Sequence, residues 1–209
     1  GSKSARAIVN LRANGVLRTR AIEHLVTSAF VAISEFNFDS GVLQPNAGPM
    51  ANSFMQGLNV ANVLAGGAIV DTAGADIRIG QSLLNGGGGG GLIKLGAGRL
   101  SLNGINTYTG STIASNGTLG GLGVISGPVL VTAGAEFAPG NSIGTLAISN
   151  TLTLQGLTTM EISRTGTALT NDQVVGVTTL NYGGSLVVTN IGIGTLVSGD
   201  TFKLFSAST

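Results

Sequence analysis

The chain has 209 residues, 43% of them apolar and 9% charged, with a formal net charge of +1 that gives no argument for a nucleic-acid partner. Cysteine is absent, which excludes disulfides and thiolate metal sites. Thirty-five glycines against four prolines, 4% aromatics and no Trp leave Leu, Ile, Val, Ala and Thr to build any core, which is a β composition.

Gly1-Ser2 reads as an expression scar. Residues 3–85 follow as a less regular region. Residues 3–26 permit a helix that gathers Ile8, Leu11, Val16, Ile22 and Val26 on one side, but Asn14-Gly15 interrupts it and Thr and Val are frequent. Residues 15–20, Ile33, 36–38, 41–43, 67–71 and 77–79 read as short strands, while 53–64 has a spacing compatible with one or two helical turns. The longest apolar run, 63–70, is far short of a bilayer span.

Residues 86–91 are six consecutive glycines after Asn85. They read as a loop at a corner, in preference to a flexible linker between domains. Residues 92–209 are regular: short apolar alternations at 92–95, 99–102, 118–119, 124–125, 129–131, 146–148, 152–154, 160–162, 174–175, 180, 186–188 and 202–205 are each bounded by Gly, Asn, Ser or Thr. Such pieces are too short for a sandwich and suit a solenoid, in which each strand pairs with the coils above and below at about 4.8 Å.

The run LIKLGAGRLSLNGINTYTGST from Leu92 to Thr112, followed by Asn116-Gly117-Thr118-Leu119, resembles the autotransporter-associated β-strand repeat, also called the passenger-associated transport repeat. Lys94, Gly96, Gly98, Leu100, Leu102, Gly104, Asn106, Tyr108, Gly110 and Thr112 stand at the matching places. The run APGNSIGTL at 138–146 is similar to a segment toward the end of many autotransporter passengers, through Pro139, Gly140, Asn141, Ser142, Gly144 and Leu146. Residues 172–175, 180–188 and 199–205 resemble the coils that come next, and 54–58 and 66–72 resemble stretches beside the repeat in very large surface proteins. The resemblance implies an all-β, right-handed parallel β-helix, secreted or displayed at the surface of a Gram-negative-type bacterium. Its repeat is thought to help the passenger fold during secretion. The sequence shows no membrane-barrel translocator, which implies a fragment or another export route.

In such a coil Leu100 and Leu102 face the core while Arg99, Ser101 and Asn103 face out. Asn106 suits a ladder or a left-handed turn, and Tyr108 suits a corner better than a ligand platform. We expect one continuous solenoid of roughly eight to ten coils of about 20 residues, about 40–50 Å long, with Leu100 and Leu186 inside.

Catalytic chemistry finds little support. The single histidine, His24, has no Gly-x-Ser-x-Gly elbow to serve, and the glycine run lacks the Gly-Lys-Ser/Thr ending of a phosphate loop. Asp71 and Asp76 bracket a turn that could hold calcium, although an Asp-capped turn is the simpler account. Asp39, Asp71, Asp76, Glu136, Glu161, Asp172 and Asp200 are dispersed, with no pair marked for glycosidase work. No catalytic, cofactor or metal residue is assigned. Lys3, Arg6, Arg12, Arg18 and Arg20 supply half of the basic residues and could meet anionic glycans, or simply charge a solvated strand edge. The expected role is a non-enzymatic structural or adhesive segment, with glycans or other surface proteins as partners. The alternatives are a carbohydrate-binding or polysaccharide-cleaving β-helix and a fibre segment that associates end to end.

Overall fold

The computed structural model describes residues 5–24, 32–46 and 53–208, and none of these residues is helical. Gly1-Ser2, Lys3 and Val26 lie outside the described residues. The rest winds into a parallel β-solenoid with three faces. The first coil is β1 (Ala5–Arg12), β2 (Val16–Thr19) and β3 (Ile22–Glu23). The second is β4 (Ala32–Asp39), β5 (Val42–Pro45) and β6 (Met55–Gln56), and the third is β7 (Val60–Val63), β8 (Ala68–Asp71) and β9 (Ile77–Ile79). The fourth holds β10 (Leu84–Asn85), β11 (Leu92–Leu95) and β12 (Arg99–Leu102). The fifth holds β13 (Ile105–Asn106), β14 (Thr112–Ala114) and β15 (Gly117–Gly121). In the sixth are β16 (Val124–Ile125), β17 (Val129–Val131) and β18 (Ala135–Pro139). The seventh has β19 (Thr145–Ile148), β20 (Leu152–Leu154) and β21 (Leu157–Thr165), whose far end folds back on β22 (Ala168–Asn171) as an antiparallel hairpin. The eighth has β23 (Gln173–Val177), β24 (Leu180–Tyr182) and β25 (Ser185–Asn190), and β26 (Phe205–Ala207) opens a further level on β23.

The second strand of every coil forms one eight-stranded sheet, β2-β5-β8-β11-β14-β17-β20-β24, and the third strands form another. At about 4.8 Å per level the eight strands span about 34 Å, shorter than expected. The register is not uniform. Val16 pairs with Val42, Val42 with Ile69, Ile69 with Ile93, Ile93 with Ile113, Ile113 with Leu130, Leu130 with Thr153, and Thr153 with Asn181. Coils of about 20 residues therefore hold in the middle of the stack, whereas the outer coils are longer. Extra length goes into corners and the β21–β22 hairpin, outside the ladder, so the register of the faces is kept.

Alternation decides what fills the interior. On the second face Leu43, Val70, Lys94, Ala114, Val131 and Leu154 lie one above another and are all buried. On the third face Ile77, Leu100, Leu119, Phe137, Thr158 and Leu186 form the matching column. Each fully buried aliphatic or aromatic in these columns contributes about 1.5–3 kcal/mol.

Several expectations are corrected. Residues 53–64 hold β6 and β7 and no helical turn, because Met55 and Val60 are claimed by ladders to Ile79 and Glu35. The described part of 3–26 is strand and turn, in keeping with the Asn14-Gly15 interruption and the strand read at 15–20. Ser101 points outward as expected yet is 1% exposed, with the Arg99 Nε donating to its hydroxyl at 3.1 Å. Leu186 occupies an inward column but is 44% exposed, since among the described residues no strand stacks beyond it on that face.

This difference sets an expected outcome. Leu100→Asp places a charge in a closed column and should cost several kcal/mol in urea unfolding, whereas Leu186→Asp should cost about 1 kcal/mol or less. Equal midpoints for the two variants would contradict the column assignment.

Candidate functional site

Of the buried polar residues, Lys94, Ser101, Asn106 and Thr112 fall between residues 94 and 112, while Asn37, Thr72, Thr158 and Asp172 lie elsewhere along the stack. Lys94 alternates with Leu92 in β11, so its parity sends it inward, between Val70 below and Ala114 above. It is fully buried. Its Nζ donates to Gly96 O at 2.6 Å, Leu95 O at 3.1 Å and Thr72 Oγ1 at 3.3 Å, so all three protons have acceptors. Burial pulls its pKa from 10.5 down to about 8, against the opposing pull of Asp71 and Asp76. Gly96 makes this corner possible. Its φ is +77°, and a Cβ there would collide with Asp71, Ala73 and Thr72 of the coil below.

Asn106 is also fully buried, and its carboxamide ties three coils together. Oδ1 accepts from Leu83 N–H at 3.2 Å in the fourth coil, and Nδ2 donates at 3.0 Å to Gly104 O in its own coil and to Val124 O in the sixth. The first face splits at this point into a β1-β4-β7-β10 sheet and a β13-β16-β19-β23-β26 sheet. The Asn106 amide and the Thr107 N–H to Leu83 O bond join the two. Tyr108 turns the next corner from inside, with its hydroxyl 2.6 Å from Thr112 Oγ1 and both residues fully buried. Burial pushes the phenol pKa up. The side chain is enclosed in the core and offers no platform to a ligand.

Arg99 crosses the outer surface of the third face. Its guanidinium lies over Gly120, where a Cβ would meet it, and Nη2 donates to Ala138 O at 2.8 Å and Gly140 O at 2.6 Å, two coils away. Its acceptors belong to the 138–146 run. Gly140 also exchanges main-chain bonds with Gly121, and Ser142 is held at φ 137°, a region side chains rarely adopt. Asp172, 2% exposed, accepts Gly144 N–H at 2.9 Å and Glu161 N–H at 2.7 Å, and burial raises its pKa. Pro139 and Leu146 are buried at the two ends of the run. Between these groups lies a cavity of about 310 Å³, bordered by Arg78, Asn141, Ser142, Thr159 and Glu161.

The other candidate residues are dispersed along the stack. Asp71 accepts from Gln44 Nε2 and Ala73 N–H, and Asp76 accepts from Arg99 N–H, so each caps a corner. No group of three or more His, Cys, Asp or Glu could hold a metal among the described residues. Arg6 pairs with Glu35, and Arg18 donates to Gln44 Oε1 at 2.8 Å, which places both on the strands that edge the first coil. His24 Nε2 is buried without a hydrogen-bond partner among the described residues, and Glu23 is taken by Gln56. The Lys94 and Asn106 interior contacts and the Arg99 clamp were missed from sequence. The parity of Lys94 with Leu92 was the available signal for the first.

Lys94 predicts a pH dependence. Above pH 8 folded Lys94 loses its proton while the unfolded chain keeps one up to 10.5, so the unfolded state binds more protons and stability should rise with pH. The raised Tyr108 pKa works in the opposite direction once the unfolded phenol titrates near 10. Urea unfolding between pH 8 and 10 should therefore show a rising midpoint, and Lys94→Met should flatten that slope. A falling midpoint in the parent would contradict the buried amine.

Residues 92–120 match the family model of the passenger-associated-transport-repeat. Neither a curated protein nor a solved structure matches the chain. The interval holds Lys94, Gly96, Arg99, Asn106, Tyr108 and Thr112, together with the fourth-to-fifth coil junction they build. This part of the solenoid is a passenger-associated transport repeat, the repeat of autotransporter passengers.

Proposed function

We propose that this chain is a length of the exported, surface-displayed part of an autotransporter-like bacterial protein, acting as a non-catalytic spacer whose outer faces are available for adhesion. The repeat at 92–120 supports the passenger reading. The observation that carries the non-catalytic part is the use made of the carboxylates. The chain has nine. Glu23 is held by Gln56, Glu35 by Arg6 and Asn37, Asp39 by Gly66 N–H, and Asp71 by Gln44 and Ala73. Asp76 is held by Arg99 N–H, Glu136 by Thr118 and Thr159, and Glu161 by Ser142. Asp172 is held by Gly144 and Glu161 N–H, and Asp200 by Arg164 and Val197 N–H. Each acid closes a corner, caps a turn or bridges neighbouring coils, which is structural work; Glu161 and Asp172 alone border the cavity together, the pairing that glycosidase chemistry would have to use.

The cavity beside Arg78, Ser142, Thr159 and Glu161 favours carbohydrate binding as a second reading, since it gathers donors and acceptors at about 310 Å³, the lower end of ligand-site volumes. The exposed apolar side chains Leu186, Val187 and Val188 of β25 favour end-to-end association as a third.

Incubation of the purified chain with acidic polysaccharides, read by reducing ends and by absorbance of unsaturated product, should give neither signal. Product that disappears in Glu161→Gln or Asp172→Asn would overturn the non-catalytic reading. Light scattering against protein concentration tests association.

A further inference from the structure

Four Asn-Gly pairs occur, at 14–15, 85–86, 103–104 and 116–117. Their surroundings differ. The Gly15 nitrogen donates to Arg12 O at 2.9 Å and the Gly86 nitrogen to Val63 O at 3.0 Å, so both are committed to the main chain. At 103 the carboxamide is the committed group: Asn103 Oδ1 accepts Leu122 N–H at 3.0 Å from the next coil and Asn141 Nδ2 at 3.4 Å. At 116 the Gly117 nitrogen donates to Asn116 Oδ1 itself, at 2.6 Å, so the nitrogen and the side-chain carbonyl of one residue pair already adjoin. Asn116 is exposed at the corner between β14 and β15, and Gly117 has φ +63°, with no side chain to shield its nitrogen.

From this contrast we propose that Asn116–Gly117 is a spontaneous modification site, at which the asparagine deamidates in the folded protein ahead of the other three pairs. Asparagine is a chemically labile side chain. The Gly117 nitrogen gives up its proton to water and attacks Asn116 Cγ. The N–Cγ bond forms, the Cγ–Nδ2 bond breaks, and Nδ2 leaves as ammonia. Water then opens the five-membered imide at either carbonyl, giving aspartate or isoaspartate. The sum is one water gained and one ammonia lost, with no oxidant or metal involved.

The product matters for the surface. Formal net charge moves from +1 to zero, and a new carboxylate appears beside a hollow of about 330 Å³ bordered by Thr118, Glu136 and Leu157. An aspartate at 116 keeps the contact the asparagine makes, because its oxygen accepts Gly117 N–H equally well. The change is therefore a charge switch that leaves the coil in place. The isoaspartyl product is less well accommodated, since the Gly117 corner is packed against the Gly96 and Gly98 carbonyls.

The folded chain is aged at physiological temperature and mildly alkaline pH, then digested and mapped by mass, with isoaspartyl-specific methylation as a second readout. The peptide carrying Asn116 should convert several-fold faster than those carrying Asn14, Asn85 and Asn103, with an acidic shift on isoelectric focusing. The same chain aged in urea should lose this selectivity. Asn116→Asp should melt with the unaged parent, and Asn116→Gln should remove the early acidic form. Conversion at Asn85 or Asn103 at the same rate in the folded chain would overturn the proposal, as would an Asn116 that stays intact while the unfolded control reacts.

Discussion

The backbone ladder between coils is the constraint from which the rest follows. On the second face each strand of an interior coil pairs in parallel with its counterparts one coil below and one above, so each inward side chain there has its column neighbours 17 to 28 residues away. Stability is then close to a sum of neighbour terms. A mismatch cannot be absorbed within one coil, because shifting a strand by one residue turns all its side chains over. Most polar groups inside this stack find partners at corners or in neighbouring coils, Thr158 Oγ1 being left without one among the described residues. Asn106 shows this most fully, with bonds to the fourth, fifth and sixth coils. Lys94 spends its ammonium on a corner carbonyl pair and on Thr72 of the coil below.

The repeat region was legible because its inward positions alternate cleanly and its glycines fall where a Cβ would strike the adjacent coil, as at Gly96. Lys94 shares the parity of Leu92 and Ala114, yet a lysine in a strand is ordinarily assigned to solvent. Its burial depends on Thr72, 22 residues earlier, which no local pattern reveals. Leu186 failed for the converse reason. Its local pattern is that of a core strand, but burial in a solenoid is conferred by the next coil, and among the described residues no strand follows β25 on that face. At 53–64 the apolar spacing fits a helix as well as two strands, and the ladders from Met55 to Ile79 and from Val60 to Glu35 decide between them. The carboxylates read as dispersed in sequence, but the fold brings Glu161 and Asp172 to one cavity, a meeting that their 11-residue separation and the β21–β22 hairpin conceal.

These same pairings shape the functional picture. The third face carries the Arg99 guanidinium across Gly120 to the 138–146 run, which links the repeat to the segment that follows it. The buried polar side chains Lys94, Asn106 and Tyr108 of the repeat are hydrogen-bonded, and the outer faces hold exposed Asn, Ser, Thr and aliphatic side chains. The proposed spacer role rests on this arrangement, in which the interior ladders fix the register of the stack.

Backbone proton NOEs measured on the isotope-labelled chain test the ladder itself. The account requires Ile93 to show inter-strand NOEs to both Ile69 and Ile113, its partners in the coils below and above. It requires none of the antiparallel type between β11 and β12, the strands adjacent in sequence. NOEs joining β11 to β12 as a hairpin, with none from Ile93 to Ile69 or Ile113, would contradict the stacked parallel solenoid.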